Sequence, residues 1–405
     1  MQSLPNISPY QRFLIAVLAV LLFTVVLDFM LLSALSAILL PQLAITTAQF
    51  GWLVSAYAFS AGISAILVSG FADQFDRKKL LLFFYTGFLA GILLCALAQT
   101  YTTFFIARII TGVFGGVIGA TCFAIITDSF DLSQRGRVMG FVQLAFASSQ
   151  VVGLPLGLYL ATQLDWHLTY GLILLMGCMA AALVFLKMKP VDAHLQVQSS
   201  AQAFQHLIAI LANREYLAVF INNTLLAAAD IMLMTFSSAF STNNMGISLE
   251  HLPLLYGVGG IGTILFGPLI GRLADKYGSL RIFTIGTVLA LTLVGIYTNL
   301  GLTPLWVVLI IHSLLFIGIN ARMISSATLA TAMPEATDRG AFMAVDASLQ
   351  QGVGGMAAAA AGLIVFQSAD GTIHRFPLLG IIVIAVMLIT IGLMFLIHSI
   401  IQKNR

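Results

Sequence analysis

The chain has 405 residues, of which 60% are hydrophobic and only 8% charged, with a mean hydropathy of +1.03 and a net charge of +3. A water-soluble domain is about 45–50% apolar and about 25% charged, so this excess cannot be buried in an aqueous core and the solvent must be lipid. The small net charge gives no sign of a nucleic-acid partner, and Cys95, Cys122 and Cys178 have no metal-ligand spacing and read as inert packing residues.

A spanning helix needs roughly 20 apolar residues. Six such runs fill the first half of the chain, at 13–40, 49–69, 80–98, 103–128, 137–162 and 167–187. The first is too long for the apolar core of a signal peptide and reads as a retained span. Residues 188–214, rich in Gln, Ser, Ala and His, read as a linker with a surface helix near Phe204–Leu211. Six more runs follow, at 215–241, 251–271, 281–300, 303–332, 338–366 and 376–401. The reading is an all-α membrane protein of twelve transmembrane helices, with a six-helix bundle at 1–187, a linker at 188–214 and a second bundle at 215–405.

Twelve spans put both termini and the even-numbered connections on one face. That face takes fifteen of the 18 Lys and Arg residues; Arg375 alone falls on the other, and Arg108 and Arg322 lie inside spans. Positive charge marks the cytoplasmic side, so both termini and the linker are expected there, in the inner membrane of the cell.

The halves repeat each other. Ser69 to Lys79 is a charged hinge between two apolar runs, and Gly271 to Arg281 is its second copy, with Asp73 and Asp275 offset by 202 residues. Leu27-Asp28-Phe29-Met30-Leu31 matches Ala229-Asp230-Ile231-Met232-Leu233 at the same offset, and Arg135-Gly136 matches Arg339-Gly340 at 204. A parallel duplication of two multi-helix halves is a known way to build a transporter.

These motifs resemble those of the major facilitator superfamily over essentially the full chain. The hinge is similar to the family's loop 2–3 signature through Asp73, Arg77 and Lys78, with Gln74 and Asp76 departing from it; the second copy keeps Gly271, Asp275, Lys276 and Gly278. Arg108-x-x-x-Gly112-x-x-x-Gly116 is similar to the family's fourth-span signature. Gly153-Leu154-Pro155-Leu156-Gly157 resembles a degenerate form of its antiporter motif, and Leu27-Asp28-Phe29-Met30 the first-span signature of its drug–proton and sugar-efflux branch. The resemblance implies two six-helix halves rocking around a central cavity and a hinge that acts as a conformational latch, in which Asp73, Arg77 and Asp128, with Asp275 and Lys276 in the second copy, tie helix ends together in one state. Without the resemblance, the same charges read as a topology anchor.

Charges inside spans cost several kcal/mol unless paired, hydrated or neutralised, so they mark function. Asp28 and Asp230 suit a proton carrier, neutral when occluded and charged when hydrated. Arg108 cannot release its proton and so can only hold a carboxylate or an anionic group. His312 stands at the position equivalent to Arg108, offset by 204. Arg322 and Asp346, at similar depth on consecutive spans, most simply form a structural ion pair, with Asn320, Ser325, Ser326, Gln350 and Gln351 leaving room for substrate nearby. Pro155 should bend the fifth span. No phosphate-binding loop, His-Glu-x-x-His or Gly-x-Ser-x-Gly occurs, so neither an ATP-driven pump nor an enzyme is indicated, and no cofactor is called for.

The expected function is proton-coupled efflux of a small apolar or amphipathic compound by a monomer in the lipid bilayer. The alternatives are uptake of a small solute such as a sugar, or a receptor or scaffold of transporter fold. Only three Trp occur, which disfavours sugar.

Overall fold

The computed structural model describes residues 8–192, 195, 209–335 and 338–403. Twelve helical spans cross in alternation. They are α1 (Pro9–Ala34, continued by Ser36–Gln42), α2 (Thr47–Ser69), α3 (Arg77–Leu97), α4 (Tyr101–Ser129), α5 (Leu132–Ser148 and Leu154–Gln163, joined by a π-helical turn) and α6 (Trp166–Lys187). The second half repeats them as α7 (Arg214–Met234, continued by Ser237–Asn243), α8 (Leu252–Tyr277), α9 (Ser279–Tyr297), α10 (Leu305–Ala332), α11 (Arg339–Ile364) and α12 (Phe376–Lys403). Most of the linker helix read at 204–211 lies outside the described residues.

Lipid cannot bond to backbone groups, so each span is a helix, and several free ends are closed by side chains. Ser8, Thr46 and Thr100 close the starts of α1, α2 and α4 through capping boxes with Gln11, Gln49 and Thr103. Among the described residues, eleven helices are long and apolar enough to cross a membrane. The twelfth is α11, which carries Asp346, Ser348, Gln350 and Gln351. It packs between α2 and α7, so protein rather than lipid receives much of its polar surface.

The packing repeats with the sequence. In the first half α2 packs on α4, α3 on α4 and α6, and α1 on α5 and α6. In the second half α8 packs on α10, α9 on α10 and α12, and α7 on α11 and α12. Two bridges between the halves, α2 on α11 and α5 on α8, are equivalents of each other, and the ends of α1 and α7 also meet.

Two departures from straight spans appear. Both α1 and α7 break and restart, at Leu35 and at Thr235–Phe236, again at the repeat spacing. In α5 the π-helical turn Ser149–Gly153 ends two residues before Pro155, so the regular α-helical ladder is interrupted just ahead of the proline. Such turns concentrate at functional sites. Gly153 and Gly157 let α5 come close to α1: a Cβ at either would stand 2.9 Å from Leu27 or Leu31 side-chain carbons.

Candidate functional site

In the first half, Arg108 on α4 donates from Nη1 to Asp28 Oδ1 on α1 at 2.6 Å. The side chains are 1% and 0% exposed, and Asp28 Oδ2 and Arg108 Nε have no hydrogen-bond partner among the described residues. The guanidinium lies 4.7 Å from the centre of the Tyr57 ring on α2. Glycine puts it there: a Cβ at Gly112 or Gly116 would fall 2.4 Å from the backbone oxygen of Tyr57 or Ala61, so only glycine lets α4 sit this close to α2. The result is one cation, one anion and one aromatic face sealed from water.

The second half arranges its charges differently. Arg322 on α10 stands 3.6 Å from Asp230 Oδ1 on α7, and the Asp230 side chain is 18% exposed. Arg322 also approaches Thr390 Oγ1 on α12 at 3.5 Å. The Arg322–Asp346 pair expected from depth does not form. Asp346 Oδ2 instead accepts from Asn223 Nδ2 at 3.0 Å and Gln350 Nε2 at 2.9 Å. The reason is helix face. Asn223 and Asp230 are two turns apart on one stripe of α7, so that stripe serves both groups, Asn223 for Asp346 and Asp230 for Arg322.

His312 does not take the place that Arg108 holds. Its ring is fully buried between Tyr256 and Phe316, with centroids 5.3 and 4.6 Å away. Neither ring nitrogen has a side-chain partner among the described residues.

At the hinge, Arg77 Nε stands 3.2 Å from Asp128 Oδ2 and Nη1 donates to the Ala72 backbone at 3.3 Å, joining the start of α3 to the end of α4. Asp76 accepts from the Lys78 and Val191 backbone at 2.8 and 3.0 Å. Lys78 Nζ donates to Phe185 and Met188 oxygens at the end of α6. The Asp73 side chain lies outside the described residues. In the second copy Asp275 and Lys276 are exposed at the end of α8, and Lys276 Nζ lies 5.0 Å from the Tyr277 ring centre.

The halves are clasped on the face away from the termini. Ser36 and Ser238, separated by the repeat offset of 202, meet hydroxyl to hydroxyl at 2.8 Å. Each oxygen also accepts from the backbone beyond the other: Ala37 N–H donates to Ser238 at 3.2 Å and Ala239 N–H to Ser36 at 3.3 Å. Equivalent residues touch only on a two-fold axis, so the pseudo-axis of the fold passes between them. Thr47 donates to the Val365 oxygen at 2.7 Å and Ser55 to the Gly355 oxygen at 2.6 Å, both from α2 to α11. A Cβ at Gly51 would lie 2.7 Å from the Ala358 oxygen, and one at Gly362 would lie 2.6 Å from the Thr47 oxygen, so bare backbone is needed at both. The clasp was missed by sequence reading, although the offset already aligned Ser36 with Ser238 and Ala37 with Ala239.

Among the described residues no cluster of three or more His, Cys, Asp or Glu is placed to hold a metal.

Comparison with known proteins agrees with this geometry. The chain is 26% identical over 274 residues to the uncharacterized MFS-type transporter YceJ of Bacillus subtilis, covering 66% of this chain and 68% of that one. It is 30% identical over 132 residues to Multidrug resistance protein 3 of the same organism, a stretch covering 33% of this chain and 26% of that protein. In structure it resembles a bacterial homologue of the human lysosomal transporter Spinster in an inward-facing, unoccupied conformation, with a TM-score of 0.75, 14% identity and 99% of both chains covered. The nucleoside transporter NupG gives 0.72 at 15% identity, covering 95% of this chain and 99% of that one. The family model described as Major Facilitator Superfamily matches residues 17–359. With twelve spans, a half-chain repeat and symmetry-related bridges already in place, that match makes the chain a member of the Major Facilitator Superfamily, a multi-pass membrane protein built to move small molecules by alternating access.

Proposed function

We propose that this transporter exports a small apolar or amphipathic compound in exchange for protons, with Asp28 and Asp230 as the coupling carboxylates. The observation that carries the reading is the placement of one Asp–Arg pair in each half, on equivalent aspartates, inside helices that cross lipid. Breaking a buried pair is costly because it leaves a charge uncompensated. A proton on the carboxylate removes that charge, so protonation is the simplest event that lets each pair separate. The short similarity to Multidrug resistance protein 3 and the degenerate antiporter motif at Gly153, Pro155 and Gly157 favour export over import.

In this reading the bundles are 1–187 and 215–405, both termini are cytoplasmic in the inner membrane, and the protein works as a monomer without cofactor or enzymatic step. The clasped face is then periplasmic. We assign Asp73, Arg77 and Asp128, with Asp275 and Lys276 in the second copy, to a conformational latch at the cytoplasmic ends, of which the Arg77–Asp128 contact within the first half is already made in this state.

Flux in proteoliposomes under an imposed pH gradient tests the proposal. Uphill movement should follow the gradient in the native chain and fail in Asp28→Asn, with passive exchange retained. Accumulation indifferent to the gradient overturns proton coupling. Concentrative uptake of a solute such as a sugar or nucleoside reverses the direction.

A further inference from the structure

The deep charges of this protein balance in pairs, with one exception. Asp28 is matched by Arg108 and Asp230 by Arg322. Asp346 on α11 has no cation within 4.0 Å among the described residues, although it is only 5% exposed. Of the other ionisable groups on the packed helix α7, Arg214 and Glu215 lie at its exposed start, Tyr216 donates to Asp338 at 2.9 Å, and Asp230 faces Arg322. A full negative charge held only by neutral groups inside a lipid-embedded protein is costly, and either a proton or a visiting cation relieves it.

Three helices hold this carboxylate in a fixed pose. Asn223 on α7 and Gln350 on α11 both donate to Oδ2. Asn223 is oriented in turn by Ser326 on α10, whose hydroxyl donates to Asn223 Oδ1 at 2.8 Å and accepts from Asn222 Nδ2 at 3.0 Å. Among the described residues, two buried acceptors of this cluster remain without hydrogen-bond partners, Asp346 Oδ1 and Asn222 Oδ1. The site is therefore an oriented carboxylate with one free oxygen, backed by amides and one residual carbonyl acceptor.

We propose that Asp346 binds the ammonium group of an amine-bearing amphipathic substrate, an inference that rests on the transport reading above and names its cargo class. An ammonium carries three N–H donors and needs only a few acceptors, one of them charged. An alkali ion instead needs a shell of oxygens, whereas the amides nearest Asp346 turn N–H groups toward it, and no further acidic side chain joins the site among the described residues. Asn223 also places the site two turns of α7 from Asp230. A positive substrate group at Asp346 would thus stand close to the Asp230–Arg322 pair, where its charge opposes Arg322 and supports the carboxylate.

The test is equilibrium binding to the purified full chain in detergent at neutral pH, with no gradient, using 1-naphthylmethylamine and its neutral counterpart 1-naphthalenemethanol. The native protein should prefer the amine by about tenfold or more. Asp346→Asn keeps an oxygen for the Asn223 and Gln350 donors, so the cradle persists; it should lose the preference while its affinity for the alcohol is unchanged. Asp346→Glu should keep part of the preference. No binding of the amine, equal binding of both probes by the native chain, or an intact preference in Asp346→Asn overturns the proposal. So does displacement of the amine by sodium chloride but not by choline chloride, which assigns the site to an alkali ion. Because no gradient is used, these outcomes are independent of proton coupling, which gradient-driven flux tests separately.

Discussion

Asp28 and Asp230 stand at equivalent places on α1 and α7, yet one is sealed and the other loosely held. Asp28 bonds Arg108 at 2.6 Å with neither side chain more than 1% exposed; Asp230 stands 3.6 Å from Arg322 and is 18% exposed. The arginines are the cause. Arg108 is seven residues into α4 from Tyr101, and Arg322 is seventeen into α10 from Leu305. The ten-residue difference puts the backbone of Arg322 about 15 Å further along its helix, toward the face carrying the termini. The anion keeps its place in the repeat, while the arginine that meets it comes from another position. One half therefore has a closed pair on the clasped side; in the other, Arg322 is buried and only the Asp230 side chain is partly exposed.

The sharpest way to break this comparison is to remove each cation. Arg108→Ala leaves Asp28 uncompensated in a dry site and should destabilise the protein by about 3–5 kcal/mol. Arg322→Ala leaves a carboxylate that water already touches, and should cost about 1–3 kcal/mol. Chemical denaturation in detergent measures both. Equal losses would mean that the two pairs are sealed alike and that the contrast in exposure has no energetic meaning.

Transport should respond in the same order. Gradient-driven flux should fail in Asp28→Asn and be weakened in Asp230→Asn, because the sealed pair must be undone before the clasped face can open. If Asp230→Asn abolishes uphill transport and Asp28→Asn does not, the looser pair is the coupling site and the ranking reverses.

A smaller effect is expected at the clasp. Ser36→Ala with Ser238→Ala removes a hydroxyl pair and two backbone acceptors, each worth about 1 kcal/mol net. The equilibrium should then shift toward opening of the clasped face. Labelling of Ala37→Cys by a membrane-impermeant maleimide should rise about five- to thirtyfold in that background. Unchanged labelling would show that the Gly51 and Gly362 backbone contacts close that face without the serines.

The smallest effect concerns the loop between α11 and α12, where Phe366–Gln367 pairs antiparallel with Ile373–His374. Hydrogen bonds from Ser368 and Thr372 hold the exposed Asp370 carboxyl down at about 2, below its ordinary 3.8. A depressed carboxylate stabilises its loop above its unfolded value, and the contribution disappears as pH falls from about 4 to about 2. Hydrogen exchange at the Thr372 amide, which donates to Asp370, should quicken over that window. In Asp370→Asn it should already be faster at neutral pH and show no such acid step.

Much of this was legible before any coordinates. Apolar run length marks the spans because the thickness of a bilayer is fixed, and the offset of 202 marks the repeat because both halves descend from one pattern. Even α11, the least apolar span, was visible from its place in the repeat. The partner of Arg322 was not legible. Depth along a helix can be counted from sequence, but the direction a side chain faces depends on how neighbouring helices are rotated, and that direction gave Arg322 to Asp230 rather than to Asp346. The breaks at Leu35 and Thr235–Phe236 and the π-helical turn before Pro155 were hidden for a similar reason: each costs little locally and is set by the helix it packs against.

The sequence by itself determined the lipid solvent, the span count, the twofold repeat and which ionisable residues lie at depth, since all of these follow from hydropathy, length and spacing. Only the tertiary structure decided which charges meet, which one is left alone at Asp346, and which face is clasped. Those depend on contacts of a few ångströms between helices far apart in the chain, and the Ser36–Ser238 contact shows it: two residues 202 apart meet only because the halves pack about a common axis.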